Sequence, residues 1–176
     1  MDSADKRGQD AQALWEHAAA LSNHFFPDKN RKDAAVSYLS QLKSFYFNNN
    51  DYENGVMCLR ALAEHGKDSD SQRQLGTLYR EGCGVKKNEL AALYWFNKAE
   101  EQGDTKAGAD CEAVFQTFYN HCSWEEFAGK IGILAHWCRT GMGPVPLDRE
   151  RGAYWTGRME KALTVSEKRQ AADKNK

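Results

Sequence analysis

Residues 74–104 read QLGTLYREGCGVKKNELAALYWFNKAEEQGD, and this stretch predicts two helices joined by a tight turn. Leu75 and Tyr79 recur at helical spacing and give the first helix its apolar stripe. Gly82 and Gly84 supply the positive φ of a tight turn, which glycine adopts without steric cost. The stretch therefore predicts one helix–turn–helix unit.

The second helix of this unit has a marked start, an apolar face and a marked end. Asn88 is a favourable N-cap, and the helix dipole favours Glu89 beside it. Trp95 belongs to the apolar face, and Gly103 ends the helix. Because two short helices cannot bury their apolar faces alone, we expect neighbouring units of the same kind.

The unit recurs on both sides of this stretch. Upstream, residues 51–66 repeat the second helix, with Asp51 aligned to Asn88 and Gly66 aligned to Gly103. Downstream, the turn, the cap and the aromatic pair return in the same order, at Gly141 and Gly143, Asp148, and Tyr154 and Trp155. One extra residue separates the downstream turn from its cap. A helix-pair period of this size is typical of tetratricopeptide-like solenoids.

One set of residues carries a family signature: Leu75, Gly76, Tyr79, Gly82, Gly84, Val85, Ala91, Tyr94, Trp95, Lys98, Ala99 and Gly103. With these residues the chain resembles the Sel-one-like repeat family, whose repeats are related to tetratricopeptide repeats. The resemblance covers residues 71–104, 130–162 and the second helix at 51–66. In the downstream copy, Ala135 and Cys138 replace the family's glycine and tyrosine. The resemblance implies an all-α, right-handed α-solenoid of about four antiparallel helix pairs, with a role in protein–protein interaction.

The chain divides into one expected domain with polar ends. Residues 1–8 and 166–176 have almost nothing to bury, so we expect them to be disordered. A single solenoid domain is expected over residues 9–165. Its segments are repeats at about 33–66, 70–103 and 130–162, with a degenerate repeat or an inserted helical segment at 105–128.

Composition and charge limit the classes of function. The formal net charge is −1, so no global field favours nucleic acid or an anionic membrane surface. No apolar run is long enough to cross a bilayer, so no membrane insertion is expected. The first residues, MDSADKRGQDAQ, contain no hydrophobic signal region. We therefore expect a cytoplasmic protein, or a periplasmic one if a signal peptide has been removed.

The five cysteines have irregular spacings. A cysteine-rich branch of the resembled family staples each helix pair with a disulfide, and that regular pairing is missing here. Repeat alignment places Cys58 and Cys138 in core positions, where a free cysteine behaves as a small apolar side chain. This pattern favours reduced thiols and a reducing compartment.

No catalytic, cofactor or metal site is predicted. His121 and Cys122, with His136 and Cys138, are the richest cluster of metal-ligand side chains. However, His136 and Cys138 stand two residues apart on a predicted helix and face different ways. The cluster also matches no compact zinc spacing, so a loop histidine and core cysteines are the favoured interpretation. The GMGPV segment lacks the Lys-Ser/Thr of a phosphate loop.

The predicted binding surface is the concave groove that first helices line in solenoids of this family. Its candidate partner-binding residues are Arg73, Thr77 and Arg80 in the central repeat and Lys43, His136 and Arg139 in its copies. A row of cations would suit an acidic partner. The alternative is structural, since the helix dipole favours a cation in a last turn by about 0.3–1 kcal/mol.

Two classes of function stay open at this point. The first is a non-enzymatic interaction module: a bacterial adaptor, or an immunity-type partner that neutralises a secreted toxin or effector. The second is an enzyme on a repeat scaffold, such as a cell-wall-directed hydrolase. Missing regular disulfides and a missing nucleophile motif count against the enzyme. The aromatic residues between 115 and 127 indicate core packing, or an interface if they are exposed.

Overall fold

The computed structural model describes the backbone of residues 3–25 and 30–174 and the side chains of residues 9–21 and 30–165. This part of the chain is helical and contains no β-strand, so the predicted all-α class is confirmed. The helices are α1 (Ser3–Phe25), α2 (Arg31–Asn48), α3 (Tyr52–Ala61), α4 (Ser69–Glu81), α5 (Glu89–Glu100), α6 (Thr105–His121), α7 (Trp124–Thr140) and α8 (Arg149–Lys174), and a π-helical turn, Leu62–Gly66, follows α3. No helix in the described residues combines the length and apolar character that a bilayer span requires.

The chain forms two compact units, Met1–Val114 and Phe115–Lys176. In the first unit α1, α2 and α3 pack on one another, α4 packs on α3, and α5 packs on α4. In the second unit α7 packs on α8. The boundary falls inside α6, and the single domain proposed from the sequence over 9–165 stays a prediction.

The helices at both ends extend further than the sequence analysis expected. Disorder was predicted for residues 1–8 and 166–176, whereas the backbone is helical over 3–8 and 166–174. Lys, Glu, Gln, Arg and Ala make up seven of the nine residues of 166–174 and half of those of 3–8, and these residues favour helix without needing burial. The remaining residues of the two predictions lie outside the described part of the chain.

The two glycine turns close with equivalent hydrogen bonds, although Gly143 has a φ of 152° where the equivalent Gly84 has 68°. Gly82 and Gly84 have φ of 81° and 68°, as predicted. The N–H of Asn88 donates to the Tyr79 carbonyl at 2.8 Å, which closes the first turn. The equivalent bond runs from Asp148 to the Cys138 carbonyl at 2.7 Å. The downstream turn therefore accommodates its extra residue between Gly141 and Asp148 without losing this hydrogen bond.

The predicted cap at Asn88 is confirmed, and α7 begins with a capping box at Ser123. The Asn88 side chain accepts a hydrogen bond from the Ala91 N–H at 3.0 Å. At the start of α7, Glu126 N–H donates to Ser123 Oγ at 3.2 Å, and the Ser123 N–H donates to the Glu126 carboxylate at 2.9 Å. Each cap satisfies backbone donors that the first helical turn leaves unpaired.

Residues at matching repeat positions form the cores of the two units. Trp95 in the first unit is 1% exposed, and Trp155 in the second is fully buried. Cys58 and Cys138 are buried too, as their alignment predicted.

A compensating change explains why the downstream copy has Ala135 where the upstream copy has Gly76. A Cβ on Gly76 would lie 2.7 Å from Cδ1 of Phe96, so the ring requires glycine there. Thr156 takes the position of Phe96 in the downstream copy. The smaller threonine leaves room for the alanine methyl group.

The aromatic stretch from 115 to 127 is mainly core. Phe115, Phe118 and Phe127 are each no more than 5% exposed. Tyr119 and Trp124 pack edge-to-face at 5.2 Å between ring centroids and are half-buried. The core-packing interpretation of this stretch is therefore confirmed for its three phenylalanines.

Candidate functional site

The polar side of α4 carries the central group of predicted binding residues. Arg73, Thr77 and Arg80 follow one another along α4 and are all half-buried. Thr77 Oγ1 donates to the Arg73 carbonyl at 3.2 Å, so its hydroxyl is used within the helix. The two arginines therefore provide most of the polar chemistry on this side of the helix.

Both arginines form ion pairs with carboxylates on a later segment. Arg73 Nε donates to Asp104 Oδ2 at 2.9 Å, just before α6. Arg80 Nη1 donates to Asp110 Oδ1 at 2.6 Å, within α6. The Arg80 guanidinium also lies 5.2 Å from the ring centroid of Phe96. The positive charges expected on this side of α4 are therefore neutralised by carboxylates of the same chain.

A hydrogen-bonded network extends from α4 to α2. Lys43 Nζ donates to Gln74 Oε1 at 3.4 Å, and Gln74 in turn donates to Asp70. Asp70 also accepts from Arg73, which links this network to the ion pair with Asp104. Polar side chains on α2, on α4 and directly before α6 are therefore held together.

We call this surface the α4 face. It comprises Lys43, Asp70, Arg73, Gln74, Thr77, Arg80, Asp104 and Asp110. Sequence reasoning found its cations but missed its carboxylates, because these lie about 30 residues further along the chain. This separation is about one repeat length. Because neighbouring repeats stack on one another, a search for carboxylates one repeat length after each arginine could have found them.

Asp104 gives the α4 face a pH dependence. Burial alone would raise the pKa of Asp104, but hydrogen bonds from the Ala107 N–H and the Arg73 guanidinium hold it below its ordinary value. A lowered folded-state pKa stabilises the fold above the unfolded value of about 3.9, and this contribution is lost as the pH falls through the folded value.

We therefore expect Asp104→Asn to lower the free energy of unfolding at pH 7 and to have less effect at about pH 3. Urea denaturation at both pH values measures the difference between variant and wild type. A difference that stays constant between the two pH values would contradict the assigned role of the carboxylate.

His136 and Arg139 lie on α7 in the second unit, and both are exposed. Arg139 is the positional equivalent of Arg80, yet it has no ion-pair partner among the described residues. The two equivalent arginines thus differ in whether the chain itself compensates their charge.

The histidine and cysteine side chains singled out in the sequence do not assemble. His136 is exposed, whereas Cys138 is fully buried, so they face different ways as predicted. His121 Nδ1 lies 3.0 Å from the Thr117 carbonyl on its own helix. In the described part of the chain, no group of three or more His, Cys, Asp or Glu side chains is placed to hold a metal ion.

A separate cavity of about 290 Å³ lies within the first unit. Its lining includes Val56, Met57 and Tyr79 together with the guanidinium of Arg60. Arg60 is 5% exposed and pairs with Glu64 at 2.6 Å, so its charge is compensated inside the protein. We interpret this buried pair as part of the scaffold.

The Sel1 repeat profile matches residues 69–104 and 133–158, which include the α4–α5 pair and most of the α7–α8 repeat. The chain therefore contains two Sel1-like repeats. The two matched stretches confirm the family resemblance that the sequence showed over residues 71–104 and within 130–162. The copy predicted at 33–66 lies outside the match, although α2 and α3 pack together there.

The chain is similar to a solved structure titled crystal structure of Sel1 repeat protein from Oxalobacter formigenes. The similarity covers 84% of this chain and 69% of that chain, with 19% sequence identity and a TM-score of 0.45. No curated protein matches the chain. Sel1 repeats are commonly protein-interaction modules and are typically non-enzymatic.

Proposed function

We propose that this chain is a non-enzymatic protein-interaction module that binds its partner through the α4 face. The observation that carries the proposal is the network that joins Lys43, Asp70, Arg73 and Asp104, from α2 through α4 to the start of α6. Side chains already held in place lose little conformational freedom on binding, so a partner meets a surface that is largely preorganised.

The chemistry of the α4 face suits a partner with acidic groups. The side chains of Arg73 and Arg80 remain 30% and 34% exposed despite their ion pairs. A guanidinium has five N–H donors, so it can hold a second carboxylate while keeping the first. Asp70 and Asp110 on the same face would repel badly placed carboxylates and so add specificity.

Within this proposal the chain acts as an adaptor or as a neutralising partner of another bacterial protein, such as a secreted toxin or effector. Both roles need a binding surface and no chemistry. A neutralising partner binds one protein and blocks its activity, whereas an adaptor joins two. The number of proteins captured with the chain, and the activity of each in the complex, distinguish the two roles.

The test uses a reciprocal charge swap within one ion pair. Tagged wild-type chain, Arg80→Glu and the double variant Arg80→Glu/Asp110→Arg are used to capture partners from the source cell, with quantification by mass spectrometry. We expect Arg80→Glu to reduce the captured partner about tenfold, through lost attraction and new repulsion. The double variant restores the ion pair with its polarity reversed, and we expect it to bind equally poorly.

Lys161→Glu is the matched control, because Lys161 is exposed on α8 in the second unit. This control should capture the partner as wild type does. Full binding by a folded Arg80→Glu variant would contradict the proposal. Recovery of binding in the double variant would show that the ion pair acts only by supporting the fold.

A further inference from the structure

A shallow groove of about 460 Å³ runs between α7 and α8 in the second unit. Its lining is Arg139, Arg149, Ala153, Thr156, Gly157 and Glu160, and we call it the α8 groove. Three of these residues are small (Ala153, Thr156 and Gly157), and the other three are charged. This combination leaves space for another segment to lie close to the backbone of α8.

The α8 groove corresponds to a surface that is covered in the first unit. Aligning the caps places Ala153 at the position of Leu93, and Glu160 at that of Glu100. Aligning the turns places Arg139 at the position of Arg80. The lining therefore reproduces, in the downstream repeat, the side of the α4–α5 pair that α6 occupies.

Three contacts define how α6 sits on the α4–α5 pair. Asp110 pairs with Arg80 at 2.6 Å, and the Cys111 thiol lies 3.8 Å from the Leu93 carbonyl. Gly108 lies directly against Glu100, because a Cβ there would come within 3.0 Å of the Glu100 carboxylate. Each contacted residue of the pair has its counterpart in the α8 groove.

The segment that covers the first-unit surface is a helix with a small-residue face. Ala107, Cys111 and Val114 recur at helical spacing and are all at most 8% exposed. Asp110 stands beside this face and supplies the carboxylate. The first unit thus shows which kind of helix fits a surface of this design.

The α8 groove is lined by smaller and more basic side chains than its counterpart. Gly157 replaces Asn97, and a Cβ on Gly157 would meet nothing within 4 Å. Arg149 replaces Glu89, which reverses one charge. Arg139 and Arg149 have no ion-pair partner in the described part of the chain. The groove offers open space and two uncompensated cations.

We infer that the α8 groove binds an amphipathic helix of a partner protein, in the way α6 covers the α4–α5 pair. The partner helix presents a small-residue face to Ala153 and Gly157 and a carboxylate to Arg139. A second acidic residue is accommodated by Arg149. This inference rests on the proposed role as an interaction module, and it adds a binding site in the second unit to the α4 face in the first.

The test uses a defined probe, a fluorescent peptide with the sequence of residues 104–116 and Cys111 replaced by alanine. Because an isolated helix this short is marginal in water, the peptide is chemically stapled and its helicity is checked by circular dichroism. Binding to the full chain is measured by fluorescence anisotropy. We expect saturable binding to wild type.

Two variants and a swapped peptide locate the binding site. Gly157→Leu fills the groove and should abolish binding, while leucine favours the helix and preserves the fold. Arg139→Glu should weaken binding about tenfold, and a peptide carrying Asp110→Lys should recover most of that loss. Lys161→Glu should bind the original peptide as wild type does.

Absence of peptide binding, or binding that Gly157→Leu and Arg139→Glu leave unchanged, would overturn the inference. Sedimentation of the wild-type chain should show a monomer. A dimer dissociated by Gly157→Leu would also overturn it, because a second copy would then fill the groove. Arg80 is unchanged in these variants. A negative result with the peptide would therefore count against the α8 groove and not against partner binding at the α4 face.

Discussion

Replacing Glu64 with alanine is expected to lower the free energy of unfolding by about 3–5 kcal/mol. The side chains of Arg60 and Glu64 are only 6% and 8% exposed, and their atoms approach to 2.6 Å. Removing the carboxylate takes away the negative charge that the buried Arg60 guanidinium contacts at 2.6 Å, and the Tyr79 hydroxyl at 3.4 Å cannot replace that charge. Chemical denaturation of the variant and the wild type measures the effect.

The matched control removes both charges together. The double variant Arg60→Met/Glu64→Leu replaces the ion pair with apolar side chains of similar size and should be much less destabilised than Glu64→Ala. A loss under about 1 kcal/mol for Glu64→Ala would mean that water reaches the guanidinium. In that case the pair would behave as an exposed salt bridge.

Replacing Trp95 with alanine is the second substitution with a large expected effect, about 3–5 kcal/mol. Trp95 is 1% exposed and packs edge-to-face on Tyr94 at 4.9 Å between ring centroids. Its indole N–H has no hydrogen-bond partner in the described part of the chain. The loss therefore comes from packing, and Trp95→Phe should cost clearly less than Trp95→Ala.

Trp124→Ala is the comparison within the same chain, because Trp124 is only half-buried. We expect its effect on the free energy of unfolding to be the smaller of the two. Equal losses for Trp95→Ala and Trp124→Ala would contradict the assignment of Trp95 to the centre of the repeat core.

The sequence was sufficient for the scaffold because its signals are local. Asn88 caps the helix that begins at the next residue, and Gly82 takes the positive φ that its own turn requires. Burial of Trp155 followed from its alignment with Trp95. Each of these features depends on a few neighbouring residues or on the repeat register, so one sequence reveals it.

The binding surface was harder to predict because its electrostatics are not local. Arg73 and Arg80 were recognised as neighbours on one helix face, but Asp104 and Asp110 compensate them from a different segment. Helical periodicity reports which residues share a helix face and does not report what covers that face. The uncompensated charge of Arg139 is likewise not a local feature, because it depends on which segments lie next to α7.

Carboxyl footprinting of the captured complex tests the central claim, that the repeats form a scaffold and the α4 face binds the partner. The chain is labelled with a carbodiimide and an amine, alone and with its partner, and the modified residues are identified by mass spectrometry. We predict that labelling of Asp70 and Asp110 falls several-fold on binding, while exposed Glu150 on α8 is labelled equally in both states. Unchanged labelling of Asp70 and Asp110 in a saturated complex would contradict the account.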